Sequence, residues 1–132
     1  MVSSCIRAWS EGVLPIETIH LHVYLVVLVT CPTDSVEKIS DEVLNARLAA
    51  CVNSMGVHSR YWWKGRIHSE DESLLLIKTR AELFDRLEET IKRVHPYEVP
   101  EVVGLNVESG SRRYLDWMMK ETKPTFRKAR KR

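Results

Sequence analysis

The hydrophobic and polar positions of this chain alternate between two periods, one typical of strands and the other of helices. Residues 23–29 are apolar at every position and largely β-branched, which predicts a strand with neither face in water. Residues 74–77 form a second apolar run of the same kind. After each run, apolar residues recur three and four positions apart, which predicts a helix. The first helix is expected to end near Leu48 and the second at Val94, because Pro96 prevents the second from continuing.

Each predicted helix has an inward stripe and a candidate N-terminal cap. The stripes are Val36, Ile39, Val43 and Ala46 in the first helix, and Leu83, Leu87, Ile91 and Val94 in the second. The residue pairs with capping-box spacing are Asp34 with Glu37 and Thr79 with Glu82. We therefore expect side chains to satisfy the free backbone N–H groups at both helix starts.

The remaining elements follow from turn and strand signals. A second extended region begins near Cys51 and ends at Lys64-Gly65, a pair suited to a tight hairpin turn. Residues 99–107 alternate between apolar and polar, which predicts a fourth strand with one polar face. A short C-terminal helix is expected to place Tyr114, Leu115 and Met118 inward.

The predicted order, strand, helix, strand, strand, helix, strand, is that of an α+β, ferredoxin-like βαββαβ sandwich. Right-handed crossovers place both helices on one face of the sheet and the first and third strands in its centre. The other face is apolar too, and a large exposed apolar surface marks an interface. The pattern therefore predicts a homo-oligomer. The alternative is that the N-terminal segment, with Trp9, Leu14 and Ile16, folds over that face.

Length and charge divide the chain into three parts. At 132 residues it is long enough for one domain. We expect an N-terminal extension at residues 1–22, a folded domain at 23–122 and a basic tail at 123–132. The domain has 13 Lys and Arg against 16 Asp and Glu, whereas residues 127–132 carry five positive charges. Because the body is mildly acidic, a nucleic-acid partner is not expected, and the tail predicts weak, salt-sensitive affinity for polyanions.

Cysteine usage and hydropathy indicate the compartment. Cys5, Cys31 and Cys51 are widely spaced, which argues against a disulfide framework or a zinc module and fits a reducing environment. No apolar run approaches the ~20 residues that cross a bilayer, so no membrane partner is expected. We predict a cytoplasmic protein. Organelle targeting by residues 1–22 is the alternative.

The segment from His95 to Pro100 holds an imidazole, a phenol and a carboxylate between two prolines that restrict the backbone. Copper and zinc prefer imidazole and thiolate ligands. His95 and Cys31 supply two such groups and Glu98 a third, so a complete site would take further ligands from neighbouring subunits. The alternative is a structural imidazole, hydrogen-bonded near the end of a helix.

Other charged residues offer further chemistry. Residues 70–72 are three successive acidic residues. In an extended chain their side chains point to alternate sides, so the carboxylates of Glu70 and Glu72 share one side. They suit a weak hard-cation site or an acid–base pair with Lys78, and the alternative is a solvated strand edge. Glu72, Lys78 and Tyr97 are the candidates for a pocket between subunits.

The chain lacks the familiar catalytic motifs. It has no nucleophile elbow, phosphate loop, H-E-x-x-H sequence or dinucleotide fingerprint. We therefore predict a non-catalytic protein. The alternative is a metal-assisted hydrolase that uses His95 with Glu98 or Glu72. The aromatic residues at 61–63 and Trp117 are expected to pack at a subunit boundary rather than to stack on nucleic-acid bases.

Six short segments follow one another along the chain. They are Val29-Thr30-Cys31-Pro32, Arg47-Leu48-Ala49-Ala50-Cys51-Val52-Asn53, Tyr61-Trp62-Trp63-Lys64-Gly65, Ile77-Lys78-Thr79, His95-Pro96-Tyr97-Glu98-Val99-Pro100 and Tyr114-Leu115-Asp116-Trp117. In sequence and spacing this set resembles the CutA family of divalent-cation-tolerance proteins, over roughly residues 24–119. The resemblance implies a ferredoxin-like homotrimer with sheets meeting around a threefold axis. It also implies association with copper or other divalent metal ions, no established catalytic reaction, and kinship with PII trimers, which sense small anionic ligands.

The resemblance also allows a comparison of metal ligands. Some bacterial members similar to this chain bind copper through an adjacent His pair before the Pro-Tyr and a cysteine on the first strand. The corresponding residues here are Val94-His95 and Val29, so only His95 is retained. Cys31 lies two residues beyond Val29, on the same side of an extended strand, where it can substitute. Tight copper binding is therefore not carried over with the fold.

Overall fold

The computed structural model describes residues 23–124. Within this range the chain forms four strands and three helices. They are β1 (Tyr24–Cys31), α1 (Val36–Asn45), β2 (Cys51–Trp63), β3 (Arg66–Arg80), α2 (Phe84–Val94), β4 (Val103–Asn106) and α3 (Arg112–Glu121). Short 3-10 turns, Thr33–Ser35 and Ala81–Leu83, lead into α1 and α2. The predicted ferredoxin-like order is confirmed.

The four strands form one antiparallel sheet in the order β2-β3-β1-β4, so β1 and β3 occupy the centre as predicted. The β1–β3 pairing covers only Ser73 to Arg80 of β3. Residues 66–72 pair with β2 alone and form a two-stranded arm. The arm ends at Lys64 and Gly65, whose φ angles of 50° and 78° build the expected tight turn.

The core lies between the centre of the sheet and helices α1 and α2. Burial alternates along β1, because successive side chains of a strand point to opposite faces. The buried side chains of the central strands and of the two helices that cover them form one cluster. Its largest fully buried members are Val27, Val29, Ile39, Val43, Leu75, Ile77, Leu87 and Ile91. Both predicted helix stripes therefore point inward as expected, apart from Ala46.

The opposite side of the sheet is apolar but only partly covered. We call it the open face, and it consists of Val26, Leu28, Met55, Leu74, Leu76, Val103 and Leu105. The residues of the two central strands, Val26, Leu28, Leu74 and Leu76, are half-buried. Met55, Val103 and Leu105 are 52%, 46% and 49% exposed. In a single chain, therefore, the face opposite α1 and α2 is only partly removed from water.

The two predicted capping boxes were wrong. Neither Ser35 nor Leu83, the residues that precede α1 and α2, makes a side-chain capping bond. A 3-10 turn stands before each helix and shifts the predicted pair away from the helix start. Thr79 instead donates a hydrogen bond of 2.6 Å to the carbonyl of Leu48, and Glu82 pairs with Arg80.

Three smaller predictions also need correction. Ala46 is exposed, because α1 ends at Asn45. Tyr114 is 43% exposed, whereas Met118 is buried as predicted. The fourth strand covers only Val103–Asn106, since the preceding residues continue the proline-bounded hinge instead of pairing with β1.

Candidate functional site

His95 directly follows α2, and its side chain is 8% exposed. Its Nε2 lies 2.7 Å from the carbonyl oxygen of Thr30, and the amide of Tyr97 donates to Nδ1 over 3.1 Å. A carbonyl only accepts and an amide N–H only donates, so the partners assign a neutral imidazole with its proton on Nε2. The imidazole thus fastens the hinge to the end of β1.

Tyr97 extends this arrangement towards β3. Its ring lies 4.8 Å from the His95 ring, centroid to centroid. Its hydroxyl donates to Glu72 over 3.0 Å and lies 3.5 Å from a carboxylate oxygen of Glu70. Burial and then this bond to Glu72 raise the pKa of Tyr97, so its hydroxyl is a neutral donor at pH 7. We call Thr30, His95, Tyr97 and Glu72 the hinge network.

Glu72 gives this end of the sheet its negative charge. The residue is only 5% exposed, so the expectation of a solvated acidic edge is wrong at this position. Desolvation and then the charge of Glu72 raise the pKa of Glu101. Among residues 23–124, no Lys, Arg or His forms an ion pair with Glu72. The carboxylate is held by a phenol rather than by a cation.

Cys31 is fully buried as a free thiol on the helix side of β1, the same side as Val29. Burial, followed by the charges of Glu72 and Asp34, raises the pKa of the Cys31 thiol to about 11. The thiol is therefore protonated at neutral pH. Metal ions bind the thiolate form, so this environment opposes coordination.

Copper or another divalent metal ion does not fit the three predicted ligands within one chain. Both nitrogens of His95 are already hydrogen-bonded, Cys31 is a buried thiol, and Glu98 is exposed to solvent. In the described part of the chain, no group of three or more His, Cys, Asp and Glu side chains is placed to hold a metal ion. The ligand assignment stays a prediction that needs groups from another subunit.

The structure joins two of the three pocket candidates and separates the third. Tyr97 and Glu72 are in contact, whereas Lys78 is six residues further along β3, about 20 Å away at the rise of a strand. Lys78 lies beside Cys51 and Asn53, two residues that the sequence analysis did not connect with it. Their spacing of two residues in a predicted strand is the signal that would have placed them on one face.

Several predictions lie outside the described residues. They concern Cys5, the N-terminal extension with Trp9, Leu14 and Ile16, and the tail beyond Pro124. Within the described range, His58 is exposed to solvent. It contacts Asp71 over 2.6 Å and Ser69 over 2.8 Å.

Residues 25–121 match the family of CutA1 divalent ion tolerance proteins, which is most of the chain. The chain belongs to the CutA1 family. The Divalent-cation tolerance protein CutA of Thermus thermophilus is 44% identical over 99 residues, covering 74% of this chain and 96% of that protein. The resemblance found in the sequence motifs is therefore confirmed.

CutA1 relatives differ in length and compartment. Protein CutA 1, chloroplastic, from Oryza sativa subsp. japonica is 41% identical over 101 residues, which is 75% of this chain. The chain spans 57% of that plant relative. Within residues 23–124, no helix is long and apolar enough to span a membrane.

Solved CutA1 structures share the fold. The PII-like protein CutA from Nostoc, in its apo form, superimposes with a TM-score of 0.72 at 35% sequence identity. The alignment covers 76% of this chain and 98% of that one. The ferredoxin-like architecture is thus that of the family.

Proposed function

We propose that this CutA1 protein acts without catalysis, as a cytoplasmic homotrimer that takes part in tolerance of divalent cations. Copper or another divalent metal ion is the proposed ligand. The observation that carries the proposal is the open face of the sheet. Family membership supports the link to divalent cations, and this apolar face supports assembly.

The open face supports association because it continues the apolar surface of both central strands. Met55, Val103 and Leu105 are about half exposed there. Burying apolar area stabilises a complex by roughly 25 cal/mol for each Å² removed from water. Identical copies present identical faces, so a closed ring of three sheets buries them all.

The hinge network supports attraction of a cation near a subunit boundary. Glu72 is buried and negatively charged without an ion-pair partner in the described residues, and it raises the pKa of Cys31, Tyr97 and Glu101. A neighbouring subunit would have to complete any ligand set that uses Glu98 or His95. The residues of one chain supply too few free ligands.

Light scattering after size exclusion tests the assembly. We expect the full chain to elute with three times the 15.3 kDa mass of one chain. Leu105→Glu places a charge on the open face and should yield monomers. Glu89→Lys, at an exposed position of α2, is the matched control and should stay trimeric. A monomeric wild type at micromolar concentration would refute the proposal.

Calorimetry tests the metal ligands. Copper and zinc are titrated separately into wild type, His95→Ala, Glu98→Gln and the surface control His58→Ala. We expect affinity to fall in Glu98→Gln and to be kept in the control. A fall in His95→Ala as well would mean that the metal ion displaces one of the two hydrogen bonds of this imidazole. Isotherms that do not differ between wild type and the two ligand variants would reject His95 and Glu98 as metal ligands.

A second candidate is a PII-like sensor or scaffold for a small molecule. The Nostoc structure, called PII-like, has the same fold, and Lys78 provides a cation on the same side of the sheet as the open face.

The hydrolase alternative has less support, because both nitrogens of His95 are hydrogen-bonded to backbone groups. A thermal-shift panel beside a substrate panel separates them: a sensor is stabilised without turnover, and a hydrolase loses turnover in His95→Ala.

A further inference from the structure

A second polar cluster lies on the same side of the sheet as the open face, near the end of β3 and six residues beyond Glu72. Lys78 is directly opposite Cys51 in the β2–β3 register, and Asn53 is two residues further along β2. The Lys78 ammonium donates to Oδ1 of Asn53 and lies 3.9 Å from the sulfur of Cys51. The Cys51 thiol itself donates to the same Asn53 oxygen over 3.7 Å.

The Lys78 charge is not balanced within the described residues. No carboxylate between residues 23 and 124 lies within ion-pair distance of its ammonium. On the β1 side, Val26 is its direct neighbour in the sheet. Arg80, two residues further along, is itself held by Thr122 and Glu82. A half-buried cation on an apolar surface is costly to leave unpaired, so this position calls for an anion.

Hydrogen-bond capacity points the same way. An ammonium has three N–H groups, and at least one of those on Lys78 is left after its two contacts. Asn53 uses its oxygen in this cluster, which leaves the two N–H groups of its amide as donors. Tyr114 flanks the cluster: burial and then the adjacent Cys51 raise its pKa, and its protonated hydroxyl is used in a hydrogen bond to the Cys51 sulfur. The cluster therefore has spare donors and lacks an acceptor.

We propose that Lys78 and Asn53 form a binding site for a small oxyanion, with a carboxylate or phosphate group seated against the Lys78 ammonium. The cationic centre supplies attraction, and the Asn53 amide donors orient the anionic oxygens. This inference gives the PII-like sensor its ligand class and rests on that candidate function. It does not use the hinge network or the proposed metal ligands.

Calorimetry on the full chain tests the site with two probes, inorganic phosphate and citrate, at constant pH and ionic strength. We expect at least one probe to bind wild type in excess of a sodium chloride control. Lys78→Met should lower the affinity at least tenfold, and Lys78→Arg should keep most of it because the charge is retained. Lys38→Met, at an exposed lysine of α1, is the matched control and should bind as wild type does. The two probes distinguish a phosphate site from a carboxylate site.

A second readout uses only wild-type protein. Because the Cys51 sulfur lies 3.9 Å from the Lys78 ammonium, a bound anion should shield it from iodoacetamide. We expect the probe that binds to slow Cys51 alkylation at least threefold, as followed by peptide mass, and chloride to leave it unchanged. This measurement applies even if Lys78→Met does not fold.

Three outcomes would overturn the site. The first is no binding and no protection with either probe, and the second is equal affinity in Lys78→Met and wild type. The third is that Lys78→Met weakens the trimer while no probe binds, which would mean that a carboxylate of a neighbouring subunit neutralises Lys78. Copper and zinc isotherms measure the metal proposal separately, so failure here leaves that proposal in place.

Discussion

The His95 imidazole is bonded on both sides, through Nε2 to the Thr30 carbonyl and through Nδ1 to the Tyr97 amide. Removing it leaves one backbone acceptor and one backbone donor without their partner. Since each such loss costs about 1 kcal/mol or more when partly buried, we expect His95→Ala to lower the free energy of unfolding by about 2 kcal/mol. Urea denaturation measures this. His58→Ala, at an exposed histidine, should change it by less than about 0.5 kcal/mol, and equal effects would contradict the structural role.

Cys31 makes stability depend on pH in the alkaline range. Its pKa is about 11 in the folded protein and about 8.5 in an unfolded chain, so the folded state binds the proton more tightly. The stability it contributes is complete below about pH 8.5 and is lost as pH rises towards 11. We expect wild type to lose on the order of 2 kcal/mol more than Cys31→Val over this interval. Parallel urea titrations at several pH values would contradict this if the two proteins showed the same slope.

The hinge could be identified from the sequence, because an imidazole, a phenol and a carboxylate follow one another closely between two prolines. The residues that the hinge contacts could not be identified in this way. Thr30 lies 65 residues before His95, and Glu72 lies 25 residues before Tyr97. Such pairings depend on how the sheet is assembled, and no local pattern encodes them. The predicted structural imidazole matches the contacts of His95, whereas its use as a metal ligand is still untested.

The β2–β3 arm depends on its turn. Gly65 has a φ of 78°, which is strained for any residue with a Cβ, although open space surrounds it. We therefore expect Gly65→Ala to destabilise the protein by about 1 kcal/mol through backbone strain alone. Gly56→Ala is the control, since that glycine also has open space but no positive φ. Thermal unfolding should show a lower Tm only for Gly65→Ala, and a matching loss in the control would refute the explanation.

Strands and helices were predictable here because their periods are strong over seven or more residues. The helix starts were not, since the 3-10 turns at Thr33–Ser35 and Ala81–Leu83 leave no mark in the hydrophobic pattern. The fourth strand was overestimated for a related reason. Valines continue through the hinge, but a strand also needs a paired neighbour, and only Val103–Asn106 finds one on β1.

The sheet as a whole has one covered face and one open face, with the hinge network and the Lys78 cluster at different positions along β3. The sequence indicated that the second face is apolar too, because the central strands carry apolar residues at both odd and even positions. It also indicated that Lys78 and Glu72 are kept apart, because six residues separate them within one extended strand. Their separation means that a cation and an anion can be bound independently.

Assembly through the open face should make thermal stability depend on protein concentration. A partner that binds only the folded chain stabilises it by mass action, so we expect the Tm of wild type to rise as its concentration is increased from 1 to about 100 micromolar. Leu105→Glu, which disrupts the open face, should unfold at a lower Tm that does not change with concentration. Glu89→Lys on α2 should keep the dependence of wild type. Differential scanning calorimetry at three concentrations measures all three proteins, and a wild-type Tm that is constant across them would show that the open face does not hold copies together.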